Sequence, residues 1–169
     1  MSSRRTLCPI VLVVGLSAQL SARTPPAKED LSDQIITGAW GDPTKCNLTN
    51  ASPIPFMDAA RDAGAVSGAC ISITGYWKGG AIYANEADAN LAKSAVTSKL
   101  KGRRVGIYAD ERTFAKAPRY PTPSTVVGTY ASCKTEWPGA VMVLGYCHFS
   151  DGPFLKVSET RRARRRDVR

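Results

Sequence analysis

Residues 69–77 carry the clearest pattern in the chain. Ile71, Ile73 and Gly75 fall on one side, and Ser72, Thr74 and Tyr76 on the other. That is the two-residue period of a half-buried strand. Lys78-Gly79-Gly80 is a turn, and 81–84 continues as a short strand, which predicts a hairpin. Further strands are predicted at 104–109, 125–131, 140–149 and 154–157, with 140–149 the longest. Between the first two of these lies a proline-rich loop at 110–124 with Pro118, Pro121 and Pro123.

Two segments have helical character. Residues 54–63 enter after a proline and stop at Gly64. Residues 86–100 form the main predicted helix. Asn85 caps it, Glu86 and Asp88 suit its positive start, Lys99 and Lys101 its negative end, and Gly102 stops it. Leu91, Ala95, Val96 and Leu100 make a modest apolar stripe.

The ends differ from the middle. Residues 1–22 have Arg4 and Arg5 at the front, an apolar stretch over 7–16, then small and polar residues with Ala18 and Ala22 as possible cleavage positions. This is the order of a secretory signal peptide, and it predicts a secreted or periplasmic protein. The arginine pair also hints at a twin-arginine signal, but the match ends with the pair. The apolar stretch falls short of the roughly 18 residues that cross a bilayer. Residues 23–34 read as a polar, proline-led linker. Residues 159–169 hold six arginines without apolar periodicity and read as a disordered basic tail. A single domain over 35–158 is left between them.

Five or six short strands with one main and one short helix make the chain mainly β (α+β). A small curved antiparallel sheet or barrel fits. Glycines inside strands, as in Val105-Gly-Ile-Tyr-Ala and Val127-Gly-Thr-Tyr-Ala, permit the bulges and sharp coiling a closed sheet needs. On strand count and glycine placement, residues 68–158 resemble an OB-type barrel, which implies five strands in a Greek key. The helix at 86–100 follows the second visible strand, where that fold usually carries it after the third.

Composition narrows the function classes. With 169 residues, 43% hydrophobic and 22% charged, global disorder is excluded. The formal charge is +9, of which 35–158 holds only +4, so the basic character is concentrated at the ends. After signal cleavage four cysteines remain: Cys46, Cys70, Cys133 and Cys147. An even number in an exported chain predicts two disulfides. Cys46–Cys70 with Cys133–Cys147 is the pairing expected from local closure, and a Cys70–Cys147 link is the alternative. Spacings of 24, 63 and 14 lack the tight pair of a structural zinc site, so no metal is expected.

Three groups could carry chemistry. His148, the single histidine, sits near Ser150 and Asp151, which would serve a small secreted hydrolase if nucleophile and base met. The paired acids Asp110 with Glu111 and Glu86 with Asp88 read better as helix caps than as facing glycosidase carboxyls. A basic and aromatic group comprises Tyr76, Trp77, Lys78, Lys101, Arg103, Arg104 and Tyr108, with Lys99 and Tyr83 beside them. On a barrel, such residues stack bases or sugars and track phosphates. No phosphate-binding glycine loop is present, and no cofactor is expected. Asn47-Leu-Thr49 and Asn50-Ala-Ser52 fit glycosylation acceptors. The expectation is an exported, non-catalytic domain that binds a polymer or protein through one barrel face or the 110–124 loop. A hydrolase using His148 and a nucleic-acid or polyanion binder are the alternatives.

Overall fold

The computed structural model describes residues 34–61, 67–91 and 98–168. The signal peptide over 1–22, the linker except Gln34, the Gly64 stop, and Ala95 and Val96 of the helical stripe lie outside them. The described strands are β1 (Ile35–Ile36), β2 (Ser52–Pro53), β3 (Cys70–Lys78), β4 (Ala81–Tyr83), β5 (Arg104–Tyr108), β6 (Thr122–Ser132), β7 (Met142–Val143) and β8 (Pro153–Arg162). The short helices are α1 (Phe56–Arg61), α2 (Glu86–Leu91), α3 (Glu111–Phe114) and α4 (Cys133–Glu136).

Strands β3, β4, β5, β8 and β6 pair in that order, and β6 returns to β3 to close the barrel. All contacts are antiparallel except β5–β8, where Gly106 faces Phe154 and Tyr108 faces Lys156 in parallel. The barrel is therefore mixed, an OB-like arrangement, rather than wholly antiparallel. The cause is the order of arrival: β6 crosses over to β3, and β8 then returns into the gap between β6 and β5.

Alternation supplies the core. Ile71, Ile73 and Trp77 of β3, Val105 and Ile107 of β5, Val126 and Tyr130 of β6, and Leu155 and Val157 of β8 are buried together. Helix α1 plugs one end with Phe56, Ala59 and Ala60, and the Tyr130 hydroxyl donates to the Ala59 carbonyl. Strand β8 bulges at Ser158: Val127 pairs with Glu159, but Gly128 with Val157. A Cβ at Gly128 would lie 2.4 Å from the Lys156 carbonyl oxygen, so glycine lets the two strands approach closely.

Both bridges of the local pairing are present, Cys46–Cys70 and Cys133–Cys147. Disulfides persist in oxidising compartments. Among the described residues, no helix is long and apolar enough to cross a membrane.

Several elements differ from their sequence pattern. The strand predicted at 140–149 is two residues, β7, paired in parallel with β1, followed by a 3-10 turn over Gly145–His148. Tertiary contacts turn the chain there: the Tyr108 hydroxyl donates to the Leu144 carbonyl at 2.5 Å and accepts from Cys147 N at 3.0 Å. Strand β6 starts at Thr122 instead of 125 and includes Pro123, whose carbonyl accepts from Ala163 N at 3.0 Å. The loop before it contains α3, capped by Asp110, which accepts from Thr113 N at 2.7 Å. Strand β8 runs through Arg162, so the first residues of the segment read as a disordered tail are ladder-paired with Ser124 to Val127. The Asn85 cap is present, accepting from Asp88 N at 2.8 Å. Of the predicted stripe, Leu100 is buried and Leu91 is 49% exposed, and on α2 it is Asp88 and Ala89 that are covered.

Candidate basic cleft

The outward face of β5 organises the most developed concavity. Val105 and Ile107 point into the barrel, so Arg104, Gly106 and Tyr108 point out. Gly106 leaves a slot that the Tyr146 ring fills; a Cβ there would lie 2.2 Å from Tyr146 Cδ1. The Arg104 guanidinium stands 5.1 Å from the centre of the same ring, a cation–π contact. Tyr108, two residues on, clamps the backbone on either side of Tyr146.

The Cys133–Cys147 disulfide ties this turn to α4. The ring of Trp137, just after α4, stacks on Phe154 at 5.1 Å, and Lys156 Nζ donates to Glu136 Oε1 at 2.5 Å. Tyr108 packs edge-on against both Trp137 and Phe154. The 133–153 segment is thus held on the barrel by a second, outer apolar cluster.

Between that segment, the end of α1 and the 100–104 turn lies a cleft of about 640 Å³. Arg61, Lys101, Arg104 and Lys134 line it, with Tyr146 and Phe149 as its aromatic surfaces. Among the described residues none of these four cations is paired with a carboxylate. Among the described residues Asp151 is the one acid in the lining. The volume lies within the roughly 300–1,000 Å³ of small-ligand sites.

The predicted basic and aromatic group does not form one surface. Lys101 and Arg104 reach the cleft. Arg103 instead pairs with buried Asp88 at 2.9 Å. Lys78 Nζ donates to the Ala89 carbonyl at 2.9 Å. Trp77 is in the barrel core and its indole donates to the Gly79 carbonyl at 2.8 Å. Tyr76 packs against the cluster holding Tyr83, Ala89 and Leu100. Tyr108 is buried, and burial pushes its phenol up, as it does that of Tyr83. Alternation places such rings on a face, but only packing tells which face is covered.

His148, Ser150 and Asp151 do not converge as a relay. Ser150 and Asp151 line the cleft, and the Ser150 hydroxyl accepts from Gly152 N at 3.1 Å. His148 is exposed outside that lining, its ring edge-on to Phe149 at 4.5 Å. Among the acids, Asp110 caps α3 and Asp88 pairs with Arg103. Asn47 and Asn50 donate to the carbonyls of Pro43 and Lys45, which ties down the loop carrying Cys46. Among the described residues no group of three histidine, cysteine or acidic side chains could hold a metal ion.

Sequence reasoning missed Arg61, Lys134, Tyr146 and Phe149. Arg61 ends a short helix, and the other three sit in a segment read as turn and strand. The Gly145-Tyr146 and Gly106 pairing was the available signal, visible only once the two segments are known to touch. No protein family, curated protein or solved structure matches this chain.

Proposed function

We propose that this protein is an exported, non-catalytic binding domain that takes an anionic polymer into the basic cleft. One observation carries the reading: four cations, without carboxylate partners among the described residues, line a cleft together with Tyr146 and Phe149. Unpaired cations supply attraction to phosphate, sulfate or carboxylate, and ring faces supply a stacking platform for bases or sugars. Export rests on the signal-like start and the two disulfides. Binding is favoured over hydrolysis because His148 lies outside the cleft lining and makes no relay with Ser150.

The test is binding of a fluorescent single-stranded oligonucleotide and of a polyuronate oligosaccharide to the mature, oxidised protein. At least one should bind saturably. The double variant Lys101→Gln/Arg104→Gln should weaken that binding by about a hundredfold, at about 1.5 kcal/mol per lost charged contact. Undiminished binding by the variant, or binding of neither polymer at low salt, sinks the reading.

A further inference from the structure

The two ends of the barrel are unlike. Where β6 begins and β8 ends, the inward-facing positions change character. Along β6 and β8 the inward cross-strand pairs run Tyr130 with Leu155, Gly128 with Val157, Val126 with Thr160, and Ser124 with Arg162. The first pairs build the core; the last place a hydroxyl and a guanidinium on the same face. Polar groups on an inward face cost free energy unless they meet water or a partner. Here they line an open depression of about 260 Å³ whose floor includes Trp77.

Lys116, from the loop after β5, and Arg161 complete its rim. Among the described residues no carboxylate lines it, and Lys116, Arg161 and Arg162 have no ion-pair partner. The hydroxyls of Thr122 and Ser124 are already donating, to the carbonyls of Tyr120 and Thr122 at 2.9 and 3.0 Å. The Thr160 hydroxyl makes no hydrogen bond among the described residues. Lys116, Arg162 and the uncommitted Thr160 hydroxyl line this depression, and Arg161, the strand neighbour between the last two, lies at its rim. That is the chemistry that holds an oxoanion.

We propose that the open barrel mouth is a second binding site, which holds a phosphate or sulfate group on Lys116, Arg162 and Thr160 above Trp77. It shares no lining residue with the basic cleft and does not depend on the reading given to that cleft. The group is either a free ion or the terminal group of a larger molecule.

The experiment follows the indole N–H resonance of Trp77 in the mature, oxidised protein. The probes are sodium phosphate, sodium sulfate, a phosphomonoester sugar and a sulfated disaccharide, each against sodium chloride of equal ionic strength. A saturable Trp77 shift with the inorganic ions supports the site and a free ion as its ligand. A shift confined to the sugar esters supports the site and a carried group. In either case Thr160→Val/Arg162→Gln should weaken the response about tenfold or more, while Lys99→Gln, which removes a cation elsewhere on the surface, should not. The proposal is overturned by no shift with any probe, by an equal shift in chloride, or by equal weakening in both variants. Retained dispersion of the other indole resonances shows that the variants are folded.

Discussion

Gly106 and Tyr146 determine each other. The tyrosine ring occupies the volume a side chain at 106 would need, so Gly106→Ala forces either the ring or the strand to move. Overpacking of this kind costs about 1–3 kcal/mol, measurable by urea unfolding, and the same change should weaken polymer binding at the cleft. Tyr108 is the neighbouring anchor. Tyr108→Phe leaves the Leu144 carbonyl and the Cys147 amide without their shared partner and should cost about 1–3 kcal/mol, again by urea unfolding. Tyr108 and Tyr83 also set a pH limit. Burial raises both phenols above their ordinary value of about 10, so the folded state favours the neutral form. Their contribution is fully present below about pH 10 and is lost as pH rises through the higher folded values. Phenolate absorbance should show Tyr83 and Tyr108 titrating late, together with alkaline unfolding.

The 133–153 segment shows how far pattern reading goes for an element. Its apolar residues over 140–149 alternate well enough to read as a strand. In the fold they are shared among β7, a 3-10 turn and the outer cluster on Tyr108 and Phe154. Only Val143, Tyr146 and Cys147 join that cluster, while Val141, Met142, Leu144 and Phe149 stay exposed, so an apolar run by itself fixes neither a strand nor its burial. The disulfide that staples this segment was legible from parity and proximity, because a 14-residue closure is local. Opening it with Cys133→Ser/Cys147→Ser should cost about 3 kcal/mol of stability in chemical unfolding, as the unfolded chain regains loop entropy. The main predicted helix was legible at its cap, where Asn85 accepts from Asp88 N. The burial of Asp88 was not: Arg103 meets it there, a contact between segments that no helical stripe encodes.

For the whole molecule, the formal charge of +9 gives sign but not placement. The fold gathers part of it into two separate basic concavities, the cleft beside 133–153 and the barrel mouth. Polymer binding at the cleft should therefore fall steeply with salt. Four cations on a single strand predict a slope of about −3 in log affinity against log salt, from about 0.7 per phosphate. A slope near zero for the oligonucleotide would exclude phosphate tracking. The chain's own alternation, glycine placement and cysteine parity determined a mainly β, OB-like domain closed by two bridges, because strand period and local closure act over short sequence distances. Only the tertiary structure decided which cations are free and which aromatics are covered. Those outcomes depend on partners such as Asp88 for Arg103 and Gly106 for Tyr146, brought together by barrel closure rather than by nearness along the chain.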